Sequence, residues 1–73
     1  MNNYPLISII ITTYNCELNI ENTIKSAINQ SYKNIEIIIV DDNSLDSTFD
    51  ICKKYEDKHF LKIIKNNFVD QNR

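Results

Sequence analysis

Glycine is absent from this 73-residue chain, tryptophan is absent too, and there is one proline. An average composition would supply about five glycines. Their absence excludes both the GxGxxG dinucleotide turn and the GxxxxGK phosphate loop, because each needs backbone that only glycine can bend or bring close to phosphate. Long apolar runs are missing as well. The longest are 37–40 and 6–11, the latter broken by Ser8, against the roughly 20 residues a membrane span requires. No membrane segment is therefore expected. The opening Met1-Asn-Asn-Tyr-Pro5 has no basic stretch and no small-residue cleavage site, so it does not read as a signal peptide. Positive charge does not dominate: eight Lys and Arg against ten Asp and Glu give a net charge of −2. With no basic stripe, the electrostatic footprint of a nucleic-acid binder is excluded. The two cysteines, Cys16 and Cys52, form no CxxC, and His59 is the single histidine. Metal-site arithmetic fails, both cysteines read as small buried apolar residues and His59 as an exposed loop residue, and a reducing cytoplasmic setting is the expectation.

What is present is 42% hydrophobic and 25% charged residues, which suits one small globular domain rather than a disordered or coiled-coil chain. Isoleucine and asparagine together supply about a third of the chain. Leu6-Ile-Ser-Ile-Ile-Ile11 and Ile35-Glu-Ile-Ile-Ile-Val40 are short, β-branched and almost continuously apolar, as strands buried on both faces should be. Between them Ile20, Ile24, Ala27 and Ile28 recur at helical spacing opposite Glu21, Lys25 and Asn29. A second helix groups Thr48, Ile51, Cys52 and Tyr55 on one face. Ser47-Thr-Phe-Asp50 reads as its capping box, with Asp46 as the competing N-cap. Phe60-Leu-Lys-Ile-Ile-Lys65 is a third strand whose weaker alternation suits a sheet edge. The expected fold is thus α/β: a β-α-β-α-β unit with a three-stranded parallel sheet. Two successive right-handed crossovers in one direction place both helices on one face. The opposite face is left bare, to be covered by a partner, by self-association or by further chain beyond residue 73.

Ligands of open parallel α/β sheets bind beyond the carboxyl ends of the strands. Two polar clusters fall there: Thr12-Thr-Tyr-Asn15 after the first strand and Asp41-Asp-Asn-Ser44 after the second. An aromatic ring offers a stacking surface for a base, and a carboxylate accepts from an imino N–H. A carboxylate pair could instead hold a divalent cation. The ordinary alternatives are turn and capping chemistry for the acidic, Asn and Ser residues, and packing for Tyr14.

The string Ile7-Ser-Ile-Ile-Ile-Thr-Thr-Tyr-Asn15 resembles the opening strand of family 2 glycosyltransferases, usually written VSVIIPTYN. The resemblance continues through Ile24-Lys-Ser-Ala-Ile-Asn-Gln-Ser-Tyr32. It then runs through Asn34-Ile-Glu-Ile-Ile-Ile-Val-Asp-Asp-Asn-Ser-Leu-Asp-Ser-Thr48, similar to "x-E-[IV]-I-V-V-D-D-G-S-x-D-x-T". Three motifs in order make a far more specific signal than any one alone. The resemblance implies the N-terminal, nucleotide-diphospho-sugar-binding part of a GT-A (Rossmann-like) fold. It implies that Thr12 and Tyr14 line a nucleobase pocket, that Asp42 accepts from a uracil ring, and that Asp41 shapes the strand end. Asn66-Asn-Phe-Val-Asp-Gln-Asn-Arg73 aligns Arg73 with a family arginine that meets diphosphate.

The chain departs from the pattern at Thr12, where proline is usual, and at Asn43 and Phe68, where glycine is. Asparagine is the best non-glycine choice if the backbone at 43 is left-handed. The metal-binding Asp-x-Asp, the catalytic base and the acceptor site of the family lie further downstream. Residues 1–73 are accordingly expected to be a truncated N-terminal portion, with no catalytic residue and no metal ligand of its own. In the full-length enzyme a Mg or Mn ion would serve a transfer from a UDP-sugar to an acceptor hydroxyl. The other reading is a non-catalytic remnant that holds nucleotide weakly or acts only as an interaction module. A phosphoacceptor receiver domain shares the element order but places its acidic pair after the first strand.

Overall fold

In the computed structural model, which describes residues 4–56 and 60–66, five elements follow in chain order: β1 (Ile7–Thr13), α1 (Ile20–Ile28), β2 (Ile35–Asp41), α2 (Thr48–Lys53) and β3 (Leu61–Lys65). The strands form one parallel sheet in the order β1-β2-β3. Ile7 stands opposite Ile35 and Thr13 opposite Asp41, while Asp41 also stands opposite Lys65. The first two strands therefore begin and end level. β1 runs two residues further than its apolar run suggested, because Thr12 and Thr13 continue the ladder. Strand ends are set by main-chain pairing, and β-branched threonine suits that backbone as well as isoleucine does.

Alternation sorts the two faces. Ile37, Ile39, Leu61 and Ile63 are buried together with Ile20, Ile24 and Ala27 of α1 and Cys52 of α2, and Ile9 and Ile11 pack against this cluster. Both helices thus cover the same face. On α1 the spacing of positions 20, 24 and 27 places the apolar side chains on one stripe, and α2 buries Thr48 and Cys52 one turn apart. Each fully buried isoleucine contributes about 1.5–3 kcal/mol relative to exposure. Burial pushes the Cys52 thiol up to about 11, with smaller contributions from Asp41 and Cys16, so it stays protonated at neutral pH. Cys16 is half-buried and Cys52 fully, and both are free thiols.

On the opposite face stand Ser8, Ile10 and Thr12 of β1, Glu36, Ile38 and Val40 of β2, and Lys62 and Ile64 of β3, none of them fully buried. Ile10 is 65% exposed. The apolar runs of β1 and β2 read as strands buried on both sides, yet among the described residues only one face is covered. The topology, with both helices on one side, is the reason.

At the start of α2 the capping box does not form. Ser47 makes no side-chain cap bond, whereas Asp46 Oδ1 accepts from the Thr48 N–H at 2.9 Å and from the Thr48 hydroxyl at 2.5 Å. Asp46 Oδ2 also accepts from the Glu17 N–H at 3.2 Å. Burial opposes ionisation of Asp46, but these bonds outweigh it and hold the carboxyl below the usual aspartate range. The Thr48 hydroxyl in turn accepts from the Cys16 N–H at 2.8 Å, tying the loop after β1 to the start of α2. Among the described residues no helix is long and apolar enough to cross a membrane.

Candidate functional site

The carboxyl ends of β1 and β2 lie side by side, so the two polar clusters meet. The Asp42 N–H donates to the Thr13 carbonyl at 2.9 Å. That bond sets Asp42 beside the residue that separates Thr12 from Tyr14. Tyr14 projects past the strand end and is 56% exposed, Thr12 is exposed, and Asp42 is half-buried. Three of the four candidate residues therefore share one end of the sheet. The fourth, Arg73, lies outside the described residues, as do Phe68 and His59.

The two adjacent aspartates differ sharply in environment. Asp41 points into the helix-covered side and is fully buried. Its Oδ1 accepts from the Thr13 hydroxyl at 2.7 Å and the Ser44 hydroxyl at 2.6 Å, and its Oδ2 from the Ser44 N–H at 2.9 Å. Burial alone would push this carboxyl up. The bonds from Ser44 and Thr13, with Lys65 nearby, outweigh burial and bring it below the usual aspartate range. Lys65, far away in sequence, stands opposite Asp41 in the sheet register and gives the pair a basic neighbour. Asp42, one residue on, lies just past the end of β2 and is half-buried.

Two asparagines shape the loops around this pair. Asn43 has φ 57°, the left-handed region that its identity anticipates at a position where glycine is usual. Asn15 has φ 48°. Its N–H donates to Ser44 Oγ at 2.9 Å and its Oδ1 accepts from the Leu45 N–H at 2.7 Å, which couples the loops after β1 and β2. Asn66 brings in the third strand end. Its N–H donates to the Asp41 carbonyl at 2.7 Å, its Nδ2 donates to Asp42 Oδ1 at 3.2 Å, and its carbonyl accepts from Asn43 Nδ2. Asn15 belongs to the polar cluster after the first strand but has no role of its own in the sequence reading, and Asn66 is not marked there as a site residue. The contact of Asn66 with Asp42 depends on β3 being the neighbour of β2, which no local pattern encodes.

Thr12 explains its own departure from the motif. Ile7 and Thr13 direct their main-chain groups towards β2, so the alternation of the strand turns the Thr12 N–H to the outer edge. Proline would lose no ladder bond there, and threonine substitutes without a change of backbone.

This end of the sheet is an open surface that carries the Tyr14 ring, hydroxyls and the half-buried Asp42 carboxylate, which Asn66 contacts. Clefts lie at the other end of the strands, one of about 710 Å³ lined by Tyr4, Ser31, Tyr32, Lys33 and Asn34. That is the wrong end for ligand binding in a parallel α/β sheet, where the loops after the strands converge. Among the described residues no group of three or more His, Cys, Asp or Glu could hold a metal ion. Asp41, whose two oxygens accept three bonds from within the fold, is not available as a ligand. The carboxylate pair does not fit a cation site.

The family model for glycosyl transferase family 2 matches residues 8–70. The chain is similar to a UDP-Glc:alpha-D-GlcNAc-diphosphoundecaprenol beta-1,3-glucosyltransferase of Escherichia coli, 54% identical over 63 residues, which is 86% of this chain and 25% of that protein. It is similar to an uncharacterized glycosyltransferase of Haemophilus influenzae, 43% identical over 70 residues, covering 93% of this chain and 21% of that protein. A Bacillus subtilis glycosyltransferase named for teichuronic acid biosynthesis is 48% identical over 52 residues, covering 71% and 21%. The chain thus spans about a quarter of the length of the curated relatives it matches. The parallel three-stranded sheet with its two helices is consistent with the N-terminal part of a GT-A fold.

Proposed function

The chain belongs to glycosyl transferase family 2, and from that premise we propose that residues 1–73 form the nucleobase-binding portion of a transferase that moves a sugar from a UDP-sugar to an acceptor hydroxyl. Tyr14 supplies the stacking surface, Thr12 lines the pocket, and the Asp42 carboxylate accepts the imino N–H of uracil. Arg73 meets the diphosphate. The observation that carries this reading is the bond from the Asp42 N–H to the Thr13 carbonyl at 2.9 Å, which sets the carboxylate-bearing residue between the positions of Thr12 and Tyr14. The division of labour within the acidic pair supports it: Asp41 is buried and triply bonded, and Asn66, just past β3, contacts Asp42. The name of the E. coli relative, which includes UDP-Glc, favours a uridine donor.

Transfer itself needs groups that these residues do not contribute. A divalent cation belongs to the whole enzyme, with ligands and a catalytic base beyond residue 73, so this chain alone binds nucleotide without turnover. The bare sheet face favours a second reading, in which the chain serves only as an interaction module. Isothermal titration with uridine diphosphate separates the two. The Asp42→Ala variant is expected to lose about 1.5–3 kcal/mol, or roughly 10- to 100-fold in affinity, the worth of one hydrogen bond to a charged group. Its circular dichroism spectrum should be unchanged. Equal affinity in variant and wild type would sink the role of Asp42, and no uridine diphosphate binding by the wild type would favour the interaction module.

A further inference from the structure

We propose that Asn66 is a positioning residue for base recognition: its side-chain amide fixes the Asp42 carboxylate in the orientation that selects uracil over cytosine. This rests on the nucleotide reading above and adds to it a residue that acts through Asp42 rather than on the base. The Nδ2 group of Asn66 donates to Asp42 Oδ1 at 3.2 Å. Asp42 lies one residue past the end of β2, Asn66 lies one residue past the end of β3, and Asp41 and Lys65 stand opposite each other in register. Positions 42 and 66 are therefore level on neighbouring strands, and the strand spacing lets two short side chains meet there.

The backbone of Asn66 is held from two sides. Its N–H donates to the Asp41 carbonyl at 2.7 Å, which repeats, one strand over, the bond from the Asp42 N–H to the Thr13 carbonyl at 2.9 Å. Its carbonyl accepts from Asn43 Nδ2, a bond that the glycine usual at position 43 could not make. Asn43 has φ 57°, so the chain turns back towards β3 there. These main-chain bonds do not depend on the side chain at 66, whereas the Nδ2 bond is made to the Asp42 carboxylate.

An aspartate carboxylate turns about a broad terminal torsion. A donor at one oxygen narrows that torsion before the ligand arrives, and a preorganised group gives up less freedom on binding. A carboxylate accepts about four hydrogen bonds, so the bond at Oδ1 leaves Asp42 able to accept the imino N–H of uracil. Cytosine gains nothing from the same constraint. It carries an acceptor at that ring position, and the orientation that suits uracil sets acceptor against acceptor. Removing the Asn66 amide should therefore separate the two bases, which a general loosening of the strand ends would not do.

Calorimetric titration of the chain with uridine and cytidine diphosphate tests it. Asn66→Ala keeps the main-chain bonds and removes the amide. It is expected to bind uridine diphosphate at least about 5-fold more weakly, and cytidine diphosphate within about 2-fold of the wild type. Asn66→Asp, of nearly the same shape, supplies a second readout. At about pH 8 its carboxylate repels that of Asp42, but one of two neighbouring carboxyls takes up a proton more readily, and at about pH 5 it donates to Asp42 as the amide does. Its affinity for uridine diphosphate, relative to Asn66→Ala at the same pH, should rise at least about 5-fold between those conditions. Asp41, Lys65 and the diphosphate are common to both variants, so the comparison reports position 66. An undiminished uridine preference in Asn66→Ala, an equal loss for both nucleotides, or no relative gain by Asn66→Asp in acid would overturn the proposal. If Asp42→Asn still abolishes the preference of the wild type, the reading of Asp42 survives that result. A wild type with no uridine preference brings down both.

Discussion

Replacing Asp41 by asparagine probes whether the first of the two adjacent aspartates is structural. The amide keeps the shape of the carboxylate and can still accept from the Thr13 and Ser44 hydroxyls. Its NH₂ group, however, faces the Ser44 N–H that Asp41 Oδ2 accepts at 2.9 Å. One charge-assisted bond, worth about 1.5–3 kcal/mol, is replaced by two opposed donors, and two more weaken to neutral bonds of about 0.5–1.5 kcal/mol. The lower cost of burying a neutral group offsets part of this, leaving a net loss of about 2 kcal/mol. A domain of this length has a total stability of roughly 4–11 kcal/mol, so the loss should lower the melting temperature by about 8–16 °C. Thermal unfolding followed by far-ultraviolet circular dichroism measures it. Acid supplies a second arm. The folded carboxyl lies below its unfolded value, so the unfolded chain binds more protons between the two, and stability rises with pH across that window. The contribution is fully present above the unfolded value of about 3.9 and is lost as pH falls through the folded one. The Asp41→Asn variant should therefore lose less stability on acidification than the wild type. A variant melting within about 2 °C of the wild type, with the same acid profile, would refute the assignment of Asp41 as the buried latch of the strand ends.

Phe60 has φ 55° and is 83% exposed, so its ring gains little from packing while its backbone occupies a region that disfavours bulky residues. Phe60→Gly should stabilise the chain by about 1 kcal/mol, raising the melting temperature by roughly 4–8 °C. A fall in melting temperature would mean that the ring holds the turn into β3. Asp46→Ala should cost about 0.5–2 kcal/mol through loss of the helix cap, whereas Ser47→Ala should be close to neutral. Urea denaturation of the two variants compares them, and the reverse order would restore the capping box at Ser47 in place of Asp46.

Much of this architecture was legible in local patterns, because apolar periodicity reports which face of an element is covered. Ile20, Ile24 and Ala27 announced α1, and the apolar run at 35–40 announced β2. The identity of Asn43 anticipated its left-handed backbone. The bare face follows from topology: β1 and β2 look two-sided in sequence, and the order β1-β2-β3 puts both helices on one face, so that among the described residues the other is uncovered. At the site, the clusters at 12–15 and 41–44 marked the end of the sheet where they meet. Their inner wiring was less visible. That Thr13 and Ser44 bond Asp41, that Asn66 reaches Asp42, and that Lys65 stands opposite Asp41 all depend on pairing between distant segments. Asp46 rather than Ser47 supplies the capping bond of α2, and its carboxylate also accepts from the Glu17 N–H, a contact from another loop.

The central claim is that the Asp42 carboxylate reads the base, and it is most directly tested by comparing uridine with cytidine diphosphate. Uracil offers an imino N–H to a carboxylate, and cytosine has an acceptor at the same ring position. Calorimetric titration of the wild-type chain should show a uridine preference of at least about 10-fold, the lower end of the worth of one charge-assisted bond. In Asp42→Asn, whose amide can donate to cytosine or accept from uracil, that ratio should fall to about one. An undiminished preference in the variant would contradict the account, since the base would then be read by some group other than Asp42.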